Sequence, residues 1–568
     1  MTCIVKVVKE SACAWSTSRV SEFTLLVEGD LSSPLANEPL TLETRRTLMW
    51  QILEKEIIRK ARNVLAKQRR GIATSTKYAR RFELRTGSQT AVPPPKRPGH
   101  WEYDTHFDPV YCIKHARFIA KRIWDKIQTE TYSPKPAIKF EIDKPDGGIR
   151  EIMSFTIPDS AVANVFHRRL TARNKGLFSA YSFAYRPDKN VFEAIIHLQR
   201  MIQPPKTFIL KYDYSKYFDT IEHSYLKKLI ETQKFVVTKA ERSVISAFLS
   251  HKFASFPSYQ TGIFATRNRG VPQGSSLSLF LSNIAAHELD MQLEQANGSF
   301  VRFADDVIAI AHSYTDARHI ELEFRAHCER SGVKINFDKS TGISMLEGRP
   351  SDDVREFYLD SSDGGRLNKK LSIDFLGHCV GSARIDLTNA AVRRIKRRIS
   401  KTLYIHLLQY ARQGLTINPD RIGPGFVDWD LVTSLNEVRK YIYGGLSEKS
   451  LGLFIDKEIK LPFVRGVMAF YPLVTNVDTL AKLDGWLESV VKRALKERQR
   501  LIIKQGNIPG YSISSDELIS GSWYREELPI ESRLPSFVRG WRAARKFYKR
   551  YGLSEVQTPS YYSIMSLY

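Results

Sequence analysis

Two aspartates, Asp305 and Asp306, stand in the run SFVRFADDVIAIAHS, with Phe300, Val301 and Phe303 before them and Val307 to Ala311 after. Such flanks predict two core-packed strands joined by a turn that carries both carboxylates. Two like charges so close together are costly to bury without a cation. A second pair, Asp352–Asp353, sits in the polar stretch EGRPSDDVREF and lacks that context. The plainer reading of Asp305–Asp306 is an acidic turn on an ordinary hairpin, and a third acid weighs against it. The apolar run 208–212 (FILKY) ends in Asp213. This places a carboxylate at the C-terminal end of a strand, where metal and substrate sites gather. Three carboxylates from a strand end and a hairpin could hold two magnesium ions for in-line nucleotidyl transfer. One ion would activate an attacking 3′-hydroxyl and the other would steady the leaving pyrophosphate. Between the two elements lies Gly270-Val271-Pro272-Gln273-Gly274, followed by Ser275, Ser276, Leu277 and Ser278. That is either an ordinary capped loop or one that lets backbone approach a nucleotide before a helix opens.

Positioning these residues takes a large chain. At 568 residues it exceeds one simple core, and its 42% apolar and 11% aromatic content is that of a globular protein. No stretch approaches the roughly 18–20 unbroken apolar residues of a membrane span. Lys6, Lys9 and Glu10 stand where a secretory signal would need an apolar run, so export is not expected. Five cysteines without a C-x-x-C pair exclude a disulfide framework and a Cys-rich zinc site, and suit a reducing cytosol. The formal charge of +25 favours nucleic acid over a membrane surface, because the basic residues are spread along the whole length.

One helix is expected over about Leu42–Arg70, with Leu48, Ile52, Ile57, Ile58, Val64 and Leu65 as its apolar side, and another over about Pro109–Thr129. The proline-rich stretch 91–99 marks a boundary. Strand-like and helical runs alternate from Ile138 to Cys379, and the chain beyond Asp386 is mainly helical and basic.

The motif set resembles the reverse transcriptases, in particular the bacterial branch of group II intron, retron and antiviral-defence enzymes. It comprises Asp213-x4-Phe218-Asp219, Pro272-Gln273-Gly274, Phe303-Ala304-Asp305-Asp306, Gly332 to Asn336 through Lys339-Ser340, and Phe375-Leu376-Gly377-His378. Upstream, Lys144 to Glu151 (KPDGGIRE) and Phe178 to Asn190 (FSAYSFAYRPDKN) resemble the fingers motifs of that branch. The match covers about residues 130–410. It implies an α+β right-hand polymerase fold: an N-terminal extension, partly helical, at 1–98; fingers and palm at 99–380; a helical thumb at 381–505; and a basic aromatic C-terminal region at 506–568.

The resemblance makes Asp213, Asp305 and Asp306 the catalytic ligands of two Mg2+ ions, with the Tyr214 main chain nearby. Phe218 would be a steric gate against the ribose 2′-hydroxyl, and Gln273 would pack on the incoming nucleotide. Lys144 and Arg150 would meet the triphosphate, Lys339 would protonate pyrophosphate, and Arg186 would contact nucleic acid. The plainer readings are core for Phe218 and a solvated hairpin edge for Lys144 and Arg150. Phe303 stands where many relatives carry Tyr, which removes one hydroxyl and leaves the ring.

A viral RNA-dependent RNA polymerase usually has Gly where this chain has Ala304, and lacks an aromatic gate. No cysteine follows Cys379, so the Cys-rich nuclease module of many group II intron enzymes is not expected. The retron signatures have only poor counterparts, at Asn283 to His287 and Val474-Thr475-Asn476. What remains resembles stand-alone reverse transcriptases of bacterial anti-phage defence, related to abortive-infection proteins. The implied partners are an RNA template (a cognate non-coding RNA), the DNA product and dNTPs. No membrane is implied, the location is the bacterial cytoplasm, and a homo-oligomer is left open. The alternative is a polymerase-like RNA-binding scaffold or maturase with secondary catalysis.

The thumb helix is expected over Asn389–Gln409, capped by Asn389, with Val392, Ile395, Ile399, Leu403 and Leu407 as its apolar stripe. Several of Arg393, Arg394, Lys396, Arg397 and Arg398 should then face the template–primer. A second basic helix covers Lys492–Lys504, and Arg539–Arg550 interleaves aromatic with basic residues, a pattern suited to structured RNA. Tyr561, Tyr562 and Tyr568 are either protein primers for DNA synthesis or a packed tail.

Overall fold

The computed structural model describes residues 42–90, 97–143, 148–203, 206–232, 235–336, 340, 342–347, 368–423, 427–457, 459–461, 463–506, 511–524 and 530–556. Their contacts form two compact units, one within 17–70 and 95–371 and the other within 71–94 and 372–568. The break falls at 371/372, and residues after 505 join the helices before them. The first helix, α1 (Leu42–Thr86), runs well past Arg70. Gly71 lies inside it at a cost of about 1 kcal/mol, and termination waits for Gly87, at φ 69°.

In the first unit, α1 buries Leu53, Ile57 and Ala61, while Ile52 is 37% exposed. The buried face is therefore offset from the expected one. It also carries Glu56, which accepts hydrogen bonds from Arg59, Asn164 and Arg168. The helix expected over 109–129 breaks at His115 into Pro109–Lys114 and Ala116–Gln128.

Two sheets position the site. Strands β1 (Ala137–Asp143) and β2 (Ile149–Ser154) form an antiparallel hairpin, extended by β5 (Lys252–Ser255) and β6 (Ala265–Thr266). The larger sheet has the order β11–β10–β3–β8–β7. Its strands are β3 (Lys206–Tyr212), β7 (Gly298–Phe303), β8 (Asp306–Ala311), β10 (Gly342–Glu347) and β11 (Asn368–Lys370). Val307 to Ala311 of β8 are all at most 1% exposed, so both faces of that strand are covered. Each such Val or Ile contributes about 1.5–3 kcal/mol. Helix α2 (Leu277–Gln295) packs on β7, and α3 (Tyr314–Ser331) packs on β3 and β8.

The second unit holds a three-stranded sheet of β12 (Ile373–Phe375), β13 (His378–Val380) and β14 (Ile385–Leu387). Leu376 and Gly377, at φ 48° and 78°, make the tight turn that suits hairpin twist. Its helices include α4 (Asn389–Leu403), α5 (Trp429–Tyr443), α6 (Asp478–Gln505) and α7 (Phe537–Tyr551). A π-helical turn at Tyr404–Leu408 follows α4 directly. Among the described residues no helix is long and apolar enough to cross a membrane.

Candidate active site

Strands β3 and β8 are antiparallel neighbours with Tyr212 opposite Val307. Asp213, one step past β3, therefore stands beside Asp306, the first residue of β8. Phe303 pairs with Asp306 across the β7–β8 hairpin, which leaves Ala304 and Asp305 as its turn. Ala304 is held at φ 62°, a left-handed conformation that costs an L-residue about 1–2 kcal/mol.

The backbone around Asp213 is fixed from the other side. Its N–H donates to Ser340 Oγ (3.0 Å), and its carbonyl accepts from the Asn336 N–H (2.7 Å). Strand β4 (Tyr214–Ser215) pairs with β9 (Lys334–Ile335), Tyr214 opposite Ile335. The motif at Gly332–Ser340 thus braces the first aspartate. The Tyr214 ring itself is buried against Tyr217.

Burial lifts the proton affinity of Asp305 above the usual carboxylate range; the Asp213 charge adds to this, while Arg150 and Arg302 oppose it. Asp306 is raised to about 6 by burial and then by Asp305, with Asp213 adding and Lys211 opposing. The three acids therefore lie within electrostatic reach of one another. Among the described residues, however, no three His, Cys, Asp or Glu side chains form a group that could hold a metal ion by themselves. Magnesium characteristically takes one or two carboxylates and completes its shell with water and substrate phosphate. Partly exposed acids, two of them raised in proton affinity by burial and by neighbouring carboxylates, fit that mode of binding.

The Pro-Gln-Gly loop is clamped between two elements. A Cβ at Gly270, φ 73°, would lie 2.6 Å from the Asp219 backbone, and one at Gly274, φ 113°, 2.3 Å from the Met153 carbonyl. Only glycine fits either position. The Val271 N–H donates to the Phe218 carbonyl (2.6 Å), and the Met153 N–H donates to the Gln273 carbonyl (2.7 Å). Phe218 is half-buried, five residues past Asp213. The Gln273 amide donates to Asp219 Oδ2 (3.1 Å), so its orientation is set by an acid. Arg150 is exposed on β2, and its charge reaches Asp305.

Other expected site residues fall elsewhere. The Arg186 side chain is 6% exposed. It donates to the carbonyls of Ser179 (2.6 Å) and Ser182 (3.3 Å) and to Asp188 (2.9 Å), so it holds its own loop. Lys144, Lys339, Asp352, Asp353, Tyr561, Tyr562 and Tyr568 lie outside the described residues.

In the second unit, α4 buries Ala391, Ile395, Ile399 and Leu403, close to the expected stripe. Its cap is Thr388, which accepts from the Ala391 N–H (3.1 Å); Asn389 is already helical. Arg393, Arg397 and Arg398 are exposed and Arg394 is half-buried, while Lys396 lies 5.3 Å over the Trp486 ring. On α7, Phe537, Trp541 and Phe547 are core, while Tyr548 and Tyr551 are half-buried. Trp541 Nε1 and Arg545 both donate to the Val474 carbonyl, and Lys546 donates to that of Ile455.

Four residues escaped the sequence reading as site elements: Asp219, Asn283, Asp290 and Arg302. Asn283 and Arg302 are polar residues inside apolar runs (LFLSNIAA, SFVRFA), and a charge in such a run usually has a buried partner; Asp290, in the mixed stretch HELDMQL, carries no such signal.

Residues 142–380 match the family model described as reverse transcriptase (RNA-dependent DNA polymerase). Protein YkfC of Escherichia coli K12 is 26% identical over 175 residues, covering 30% of this chain and 44% of that protein. The putative COX1/OXI3 intron 2 protein of Saccharomyces cerevisiae is 28% identical over 421 residues, 62% of this chain and 44% of that one. An uncharacterized 91 kDa protein in the cob intron of Schizosaccharomyces pombe is 26% identical over 186 residues, 32% and 22% of the two chains. The chain thus spans less than half the length of these relatives.

Proposed function

We propose that this chain, whose residues 142–380 form a reverse transcriptase domain of right-hand polymerase fold, copies a dedicated non-coding RNA into DNA in bacterial anti-phage defence. The observation that carries the polymerase reading is the register of β3 against β8, which sets Asp213 beside the Asp305–Asp306 turn. Asp213, Asp305 and Asp306, with the main chain at Tyr214, are the groups that would hold two Mg2+ ions. Bound there, the ions supply activation of the primer 3′-hydroxyl and neutralisation of charge on the leaving pyrophosphate.

The chain's own residues do the rest. Arg150 offers a fixed fork of donors to the triphosphate, with Lys144 and Lys339 as further cations on the phosphates. Phe218 crowds the ribose edge against a 2′-hydroxyl, and Gln273, held by Asp219, faces the nucleotide. Exposed Arg393 and Arg397 take template–primer phosphates. The defence role and the cytoplasm of a bacterium rest on the motif resemblance. A scaffold or maturase role is the second reading, favoured by matched relatives that are named as intron proteins.

The test is sequencing of nucleic acid that co-purifies from phage-challenged cells, comparing wild type with Asp305→Ala/Asp306→Ala. One defined RNA in both, with complementary DNA in wild type only, is the expected result. The same RNA without any DNA difference selects the scaffold or maturase reading.

A further inference from the structure

Arg302 is the penultimate residue of strand β7, and its side chain is 1% exposed. A guanidinium has five N–H groups, and here all five meet an acceptor. Nε donates to Asp290 Oδ1 (2.7 Å) and Nη2 to Asp290 Oδ2 (2.6 Å), a bidentate pair whose acid is fully buried. Nη2 also donates to Ser182 Oγ (2.7 Å), while Nη1 donates to Asn283 Oδ1 (3.0 Å) and to the Ala304 carbonyl (3.2 Å).

These acceptors come from three elements. Asn283 and Asp290 lie on α2, and the Asn283 amide donates onward to the Ala184 carbonyl (3.0 Å). Ser182 belongs to the fingers-like segment, which is stitched to the edge of β7: the Phe183 N–H donates to the Arg302 carbonyl and the Arg302 N–H to that of Tyr181, both at 2.9 Å. The third is the hairpin turn. Its Ala304 carries the positive φ, and its carbonyl belongs to the peptide that leads directly into Asp305.

From this geometry we propose that Arg302 is a positioning residue for the carboxylates, working through the Ala304 peptide. The planar fork, aligned by Asp290, Asn283 and Ser182, grips that carbonyl and holds the turn in its left-handed form. Asp305 and Asp306 are thereby set at a fixed angle. A buried ion pair needed only for packing would gain nothing from a bond to a strained turn. Lysine cannot substitute, because one ammonium cannot face Asp290 bidentately and reach Ala304 as well. The proposal rests on the polymerase reading for its kinetic readout and on ion binding for an independent one.

The test compares wild type, Arg302→Lys and Ser182→Ala in the full chain. It measures Mn2+ binding without nucleotide by titration calorimetry, primer extension, and thermal melting. Arg302→Lys should bind Mn2+ about tenfold more weakly. Its kcat should drop about 10- to 100-fold while KM for dNTP stays within about twofold, since misplacement of the reacting groups and not substrate binding is altered. Ser182→Ala removes one acceptor, leaves the Arg302–Asp290 pair in place, and should shift Mn2+ affinity and kcat the same way by about threefold, with a modest fall in melting temperature from the N–H left unpaired. If Arg302→Lys does not fold, Ser182→Ala decides. Wild-type Mn2+ affinity and kcat in the folded variants, whatever their melting temperatures, would overturn the proposal. If wild type extends no primer yet the variants bind Mn2+ more weakly, the polymerase reading fails and the positioning role stands.

Discussion

In the second unit, Asp428 and Asp430 are at most 1% exposed, and three guanidiniums meet them. Arg498 bridges both acids (2.6 Å to Asp428, 2.9 Å to Asp430), and Arg85 and Arg421 each reach Asp430 at 2.9 Å. Tyr511 donates to Asp428 as well. Carbonyls of the π-helical turn are taken too: Arg85 holds that of Ile405 and Arg498 that of Leu407, absorbing acceptors that a helix irregularity leaves over. In the first unit, Asp213, Asp305 and Asp306 share adjoining strand ends, and Arg150, Lys211 and Arg302 act on them through charge. Clustered carboxylates are thus met by hydrogen-bonded guanidiniums in one region, while in the other they are partly exposed and the cations act on them through charge. Internal closure stabilises the fold, and the open arrangement is the one that can do chemistry.

The largest expected effect comes from breaking the closed cluster. Arg498→Met leaves Asp428 and Asp430 short of their shared cation, and removing one partner of a buried pair costs about 3–5 kcal/mol. Denaturant unfolding should show that loss, or the protein should fail to fold. Asp428→Asn, which keeps the helix cap to the Asp430 N–H, should lose less. A loss under about 1 kcal/mol for Arg498→Met would mean that the two regions do not differ as described.

The open cluster should respond with the opposite sign. Asp306→Asn removes a charge that its surroundings disfavour, so stability without divalent cations should rise by about 1–2 kcal/mol at pH 8 after discounting for solvent. The sign follows from the raised affinity. An unfolded aspartate titrates near 3.8, and folded Asp306 near 6. Below about pH 4 both states carry the proton and the variant gains nothing. As pH rises from about 4 to about 6 the wild type pays for ionising, and the gain is complete above that. Mg2+ should shrink the difference, and polymerisation should be lost. Equal melting of the two proteins in EDTA at pH 8 would show that the acids are already compensated.

What the sequence showed of these regions follows from locality. The strand ending in Asp213, the Pro-Gln-Gly loop and the Asp305–Asp306 hairpin are each a short contiguous run, and apolar flanks mark the strand and the hairpin, so each could be read locally. Asp219 holding Gln273, or Arg302 joining Ser182, Asn283 and Asp290, depends on side chains distant in sequence. Only polarity in an apolar run hints at such links. The expected helix stopped at Arg70, yet α1 continues through Gly71 to Thr86, because one interior glycine costs a long helix only about 1 kcal/mol. The contacts of Arg186 were hidden for a related reason: nothing in the motif shows that carbonyls of its own loop take up the guanidinium.

The smallest effect tests whether cations follow the same division. On α4, Arg397 is exposed, whereas Lys396, its neighbour in sequence, lies over Trp486. Both were expected on nucleic acid. Arg397→Ala should leave stability within about 0.5 kcal/mol and weaken binding to an RNA–DNA primer–template. The slope of log K against log salt should fall by about 1, as one phosphate contact is lost. Lys396→Ala should do the reverse, lowering stability by about 0.5–1 kcal/mol through the lost cation–π contact with little change in slope. A shared salt effect would place Lys396 with the charges left for a ligand. Its contact with Trp486 would then be a resting position from which the ammonium is released.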